Sequence, residues 1–211
     1  MLQFHKFQKF YGRYLALKIG DVLIEPGVYW VKGVNGSGKS TLLKTIAGIL
    51  WFDGDILIDG KYSVKKTPVA YRKLVNFADA EPLFPEFLTG KEMVDLFLYA
   101  KGALAGQEKY FIESMQMQSF IDQPIGAYSS GMLKKLSLIL AFIGNPKLIL
   151  LDEPLITLDT DSLGILYQWI LFMKQQNGTS FILSSHQDLD SSKLSGAKEI
   201  LVETQILKIT S

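Results

Sequence analysis

Residues Gly33 to Thr41 read GVNGSGKST, and this stretch constrains the fold more than any other. It satisfies the pattern of a glycine, four free positions and then Gly-Lys-Ser/Thr. Just before it, Gly27 to Lys32 (GVYWVK) has the β-branched and aromatic content of a buried strand. Just after it, Leu42, Leu43, Ile46 and Ile49 recur at helical spacing within Lys39 to Ile49. A strand, a glycine-rich turn and a helix therefore follow one another directly. In that setting the glycines let consecutive backbone amides turn inward around phosphate oxygens, and the helix dipole beginning near Gly38 adds positive potential at the same point. Asn35, Gly36, Ser37, Gly38 and Thr41 belong to this cradle, Lys39 would reach the β and γ phosphates of a nucleoside triphosphate, and Ser40 would ligate Mg²⁺. A turn with a solvated lysine would give the same letters by chance in roughly one chain of this size in a hundred, so phosphate binding is favoured.

The rest of the chain alternates strands with helices. Gly54 to Gly60 and Leu74 to Ala78 read as strands, and Thr89-Gly90-Lys91-Glu92 is a capping box opening a helix with Met93, Leu96, Phe97 and Ala100 on one face. Further helices are expected over Gln107 to Ile121, Gly131 to Ile143 and Asp161 to about Gln176, the last stopped by Asn177-Gly178. Lys147 to Leu151 is a short, continuous apolar run, as in a strand buried on both faces of a parallel sheet. Ser180 to Ser184 makes the next strand, and Glu199 to Ile209 a hairpin around Glu203-Thr204. The class is α/β, with a mainly helical insert over 85–144 between core segments 1–84 and 145–211.

Composition excludes several function classes. With 22 basic and 21 acidic residues and a net charge of +1, the chain lacks the basic footprint of a nucleic-acid binder. It has no Cys and only His5 and His186, which argues against disulfides, thiol chemistry and multi-histidine metal centres; His5 reads as ordinary surface. No apolar stretch is long enough to span a bilayer, and the N-terminus does not read as an export signal, so a cytoplasmic location is expected.

Two further segments carry chemistry. Asp152-Glu153-Pro154 follows the apolar strand and sits at its C-terminal end, where open α/β sheets bind ligands. Asp152 would hold Mg²⁺ and Glu153 would position or deprotonate an attacking water. Tyr128-Ser129-Ser130-Gly131-Met132 precedes a helix and offers hydroxyls and amides to an anion, although Ser-Ser-Gly before a helix is more often just a cap.

Taken in order, GVNGSGKST, YSSGM, LILLDEP and Ser184-Ser185-His186 resemble the Walker A, signature, Walker B and switch-histidine motifs of ABC transporter nucleotide-binding domains, across nearly the whole chain. The resemblance implies a P-loop NTPase core with a mainly parallel sheet, an N-terminal antiparallel β-subdomain and a helical insert. It implies ATP and Mg²⁺ as ligands, with Glu153, Lys39 and His186 in catalysis and Asp159 in the D-loop. The same resemblance points to Tyr11, before Gly12, as the aromatic on which adenine would stack, with Phe10 competing for the role. It also implies a homodimer or heterodimer packed head to tail, in which Lys39 and Ser40 of one copy and Ser129, Ser130 and Gly131 of the other grip one ATP. An integral membrane subunit, docking near Phe84, Pro85 and Phe87, would hold the chain at the inner face of the cell membrane. One departure stands out: where the family usually carries a glutamine, the run is Phe77-Ala78-Asp79-Ala80-Glu81-Pro82, with Ala80 at the equivalent place and Asp79 or Glu81 as substitutes. Rival readings are a non-transport ABC ATPase, a small P-loop kinase and a degenerate ATP-binding regulatory subunit.

Overall fold

An eleven-stranded sheet organises the molecule; the computed structural model describes residues 1–185, 193–194, 196–203 and 205–210. The N-terminal third supplies β1 (Leu2–Tyr11), β2 (Tyr14–Ile19), β3 (Val22–Ile24) and β4 (Val28–Lys32), then α1 (Lys39–Ile46), β5 (Asp53–Ile58) and β6 (Tyr62–Ser63). The middle contains α2 (Pro68–Leu74), β7 (Val75–Ala78), α3 (Gly90–Lys101), α4 (Gln107–Ser114) and α5 (Ser130–Phe142). The chain finishes with β8 (Leu148–Leu151), α6 (Thr160–Asn177), β9 (Ser180–Ser184), β10 (Lys198–Glu203) and β11 (Ile206–Thr210).

β10, β4, β9, β8 and β7 lie side by side in parallel. β1 pairs antiparallel with β2, β3 and β5, so the expected parallel core and N-terminal antiparallel portion are both present. The C-terminal hairpin pairs Glu203 with Ile206 and docks β11 beside β2.

Strand alternation builds two cores. Ile149 and Leu151 of β8 face a cluster with Leu138 and Phe142 of α5 and Trp169 and Ile170 of α6. Leu148 and Leu150 face the other way, toward Leu42, Leu43 and Ile46 of α1 and Phe4 and Phe7 of β1. Both faces of the strand are therefore buried, as its unbroken apolar composition requires. Phe111, Phe142 and Trp169 meet edge-on or tilted at centroid separations of 4.8–5.9 Å, tying α4, α5 and α6 together.

Helix ends follow their caps. Thr89 and Glu92 form the full reciprocal capping box of α3, and Gly178 at φ 66° closes α6. One expectation needs correction, and one element is additional to those expected. The helix expected over Gln107 to Ile121 stops at Ser114, because Gln116 turns at φ 57° and the chain buries both Met115 and Met117; residues two apart do not share a helix face, so one continuing helix could not deliver both to the core. The segment before β7 forms α2, which the pattern of apolar residues does not announce, although Pro68 at its first position is a starting signal.

Candidate functional site

The loop from Gly33 to Gly38 joins β4 to α1 at the C-terminal end of the parallel strands. Two of its glycines are structurally required. A Cβ at Gly33 would lie 2.5 Å from the Val202 carbonyl, and Gly38 opens α1 at φ 107°, which L side chains rarely adopt. Lys39 is buried and folds back, its Nζ donating to the carbonyls of Gly33 (2.8 Å) and Val34 (3.3 Å). Burial lowers its pKa, while the nearby Glu153 and Asp152 oppose that shift. The Ser37 hydroxyl is buried in the same loop with no hydrogen-bond partner.

Ser40, in the first turn of α1, donates to Asp152 Oδ1 at 3.1 Å, and Ser184 at the end of β9 donates to the same oxygen at 2.6 Å. Asp152 is 1% exposed, yet its Oδ2 has no partner. A buried carboxylate oxygen without a donor costs several kcal/mol unless a cation or donor meets it. Ser40 and Asp152 both line an open cleft of about 550 Å³. No group of three or more His, Cys, Asp or Glu side chains gathers among the described residues, so a cation here would keep water or phosphate oxygens as its other ligands. That donor set, one hydroxyl and one carboxylate, fits Mg²⁺.

Glu153 follows directly, buried at 7% exposure, with φ +46°. Left-handed backbone at a non-glycine residue costs on the order of 1–3 kcal/mol. The neighbouring amide is held, Glu153 N donating to Ser184 Oγ at 3.0 Å. A second cation lies close by: Lys134 of α5 is 1% exposed and donates to the carbonyls of Asp79 (2.9 Å), Ala80 (3.3 Å) and Asp152 (2.9 Å). Burial pulls its pKa down to about 8 against the opposing pull of Asp152, Asp79 and Glu153.

The loop after β7 lines the same cleft. Asp79 Oδ2 is ion-paired to Lys44 Nζ at 2.9 Å, whereas Glu81 is exposed, and Ala80 offers no side-chain polar group there. Elsewhere, Ser129 caps α5 by accepting from Met132 N at 3.3 Å, Ser130 is exposed, and Gly131 sits beside the Thr157 carbonyl. Asp159 caps α6, accepting from Ser162 N at 2.7 Å, and pairs with Lys135 of α5 at 3.1 Å. The Ser162 bonds first, and then Lys135, lower the Asp159 pKa to about 2.

Tyr11 ends β1 half exposed, its hydroxyl 3.2 Å from Thr41 Oγ1 and Lys9 Nζ 4.6 Å from its ring centroid. Asn35 and Gly36 lie on the loop's outer side, lining a second cleft with Tyr14 and Gln205. His186 lies outside the described residues. The structure thus gathers Lys39, Ser40, Asp152 and Glu153, while Gly131 approaches the Thr157 carbonyl. Sequence reasoning missed Lys134, Lys44 and the anchoring role of Ser184. For Lys134 a signal exists: with Leu138 and Ala141 it falls on one buried face of α5, where a lysine is out of place.

A parallel α/β sheet whose glycine loop opens a helix, with a serine–aspartate contact bridging that helix to the end of β8, two strands over from β4 in the sheet, defines a P-loop NTPase. The ABC transporter family model matches residues 23–156, and the chain belongs to that family. It is 35% identical over 170 residues to the cytochrome c biogenesis ATP-binding export protein CcmA of Legionella pneumophila, covering 79% of this chain and 82% of that protein. It is 31% identical to human ATP-binding cassette sub-family A member 2, covering 83% of this chain but 7% of that much longer protein. Among solved structures, an ATP binding subunit of an ABC transporter superposes with TM-score 0.88 at 22% identity, covering 98% of this chain and 88% of the other. The dimeric post-hydrolysis cassette MJ0796 bound to ADP and Pi superposes with TM-score 0.81 at 22% identity, covering 100% and 98%. These two structural likenesses show the fold. Among the described residues no helix is long and apolar enough to cross a membrane.

Proposed function

We propose that this chain is the ATP-hydrolysing subunit of an ABC transporter, which drives a separate integral membrane subunit by closing head to tail on a second ATPase copy, identical or not. The observation that carries the reading is the Ser40–Asp152 contact at 3.1 Å, with the orphaned Asp152 Oδ2 beside it and Glu153 next in the chain.

The roles divide among the chain's own residues. Amides of Asn35 to Thr41 and the Lys39 ammonium bind and orient the triphosphate, and Tyr11 offers the exposed part of its ring to the base. Ser40 and Asp152 would hold Mg²⁺, which would supply neutralisation of phosphate charge. Glu153, shielded from bulk water, orients the attacking water and accepts its proton, assisted by His186. Ser129, Ser130, Gly131 and Asp159 serve a partner's nucleotide, so that closure completes the group of donors around the reacting phosphate. The loop carrying Leu83, Phe84, Pro85 and Phe87 receives the membrane subunit; Leu83 is 95% and Phe87 82% exposed, apolar surface that a docked partner would cover. That partner holds the chain at the inner face of the cell membrane, and nucleic acid has no part.

Magnesium-dependent phosphate release by the purified chain, with no added acceptor, tests the reading and separates it from a kinase. Binding of ATP without any turnover would instead favour a regulatory subunit, and no magnesium–nucleotide binding at all would remove it.

A further inference from the structure

The peptide unit joining Asp152 to Glu153 is held at both polar ends. Its carbonyl accepts from Lys134 Nζ at 2.9 Å, and its amide donates to Ser184 Oγ at 3.0 Å. A trans peptide is planar, so two hydrogen bonds at opposite edges fix the rotation of the whole plane. That rotation sets φ of Glu153, which stands at +46°. A left-handed non-glycine residue persists only where its surroundings over-determine it, and here the two side chains do so from opposite sides.

Lys134 is not a general-purpose filler. An ammonium has three donors and no acceptor, and this one meets three carbonyls: Asp79 and Ala80 just beyond β7, and Asp152 just beyond β8. Burying a charge is costly unless every proton is used; an apolar side chain of equal length would fill the space but leave the three carbonyls without this donor. What the ammonium adds is orientation. It comes from α5, whose N-cap is Ser129, so a single side chain links the serine-rich helix start to the backbone of the carboxylate pair.

We infer that Lys134 is a positioning residue for Glu153, setting the Asp152–Glu153 peptide plane from α5 and so aiming the Glu153 carboxylate. The inference rests on the proposed role of Glu153 in hydrolysis. It also makes α5 a mechanical link: a shift of α5 moves the Lys134 ammonium relative to its carbonyl acceptors beyond β7 and β8 and tilts the plane.

The test uses the full-length chain with Lys134→Met, which keeps stem length but has no donor, and Lys134→Gln, which keeps neutral amide donors. Steady-state ATPase and calorimetric ATP binding are measured below the melting temperature of each variant. The expected result is a split: kcat falls about 100-fold in Lys134→Met, in line with a misplaced catalytic group, while the ATP dissociation constant stays within about threefold. Lys134→Gln is expected to lie between the parent and Lys134→Met, and it decides the matter if Lys134→Met does not fold. A kcat within about twofold of the parent, or a loss of kcat and affinity together, overturns the inference and leaves a packing role. An inactive parent chain is a separate outcome: it refutes the hydrolytic reading itself, and the role of Lys134 with it.

Discussion

Ser40 and Asp152, 112 positions apart in the chain, are joined by a 3.1 Å hydrogen bond at the point where α1 leaves the glycine loop and β8 ends. The same Asp152 oxygen also accepts from Ser184 at 2.6 Å, so both protein donors crowd Oδ1 and leave Oδ2 buried without one. An aspartate arranged in this way is suited to a cation or a further donor, either of which would compensate the oxygen that the fold leaves bare.

Asp152→Ala is therefore expected to erase the magnesium effect on nucleotide binding. In the parent chain, calorimetry should show tighter ATP binding with magnesium than with a chelator; in the variant the two isotherms should coincide, and turnover should fall at least about 100-fold. A variant that still distinguishes the two conditions would place the metal elsewhere.

Glu153→Gln keeps shape and backbone while removing the proposed base. ATP binding is expected to survive within a few-fold, with turnover down by about 100-fold or more, and light scattering should show a dimer that builds up with ATP and disperses on its removal. Full activity from a strictly monomeric Glu153→Gln protein would contradict both the base and the two-copy scheme.

Much of this site is readable from sequence because its key residues are consecutive. Lys39 and Ser40 follow the glycine loop directly at the start of α1, and Asp152-Glu153 follows an apolar run whose alternating faces, Leu148 and Leu150 against Ile149 and Leu151, are both buried. The α3 start is equally legible, since Thr89 and Glu92 satisfy each other within one turn. What stays hidden depends on contacts between distant segments. Ser184 is a small polar residue at a strand end until β9 sets it against Asp152 and the Glu153 amide. The end of α4 is decided by where the core accepts Met115 and Met117, not by propensity. The choice between Asp79 and Glu81 needs Lys44, which sits one turn beyond Ser40 and neutralises Asp79.

That pairing yields a third prediction, on the loop that lacks the usual glutamine. Asp79 is engaged by Lys44 and Glu81 is exposed in the same cleft, so on the proposed reading Glu81 would be the carboxylate to serve a bound magnesium ion. Glu81→Ala is expected to raise the magnesium concentration for half-maximal ATPase by about tenfold, roughly 1.4 kcal/mol of lost interaction, with Asp79→Asn changing it by less. Equal effects from the two variants would mean that neither carboxylate has a distinct role.

The last prediction concerns the bridge between α5 and α6. Asp159 accepts from Ser162 N at 2.7 Å and pairs with Lys135 at 3.1 Å, and these contacts take its pKa from the ordinary 3.8 to about 2. The folded state therefore binds the proton more weakly than the unfolded chain does. The contribution is present in full above pH 3.8 and is lost as pH falls from 3.8 toward about 2. Its size is modest, below about 1 kcal/mol, because the side chain is largely exposed and water screens the pair. Asn caps a helix about as well as Asp but carries no charge, so Asp159→Asn isolates the ionic part. Urea midpoints of parent and variant should differ slightly at neutral pH and converge as pH passes below 3.8. Because the pair also fixes the segment after Glu153 to α5, a gap that persists unchanged at low pH would show that the link is made by packing and capping rather than by charge.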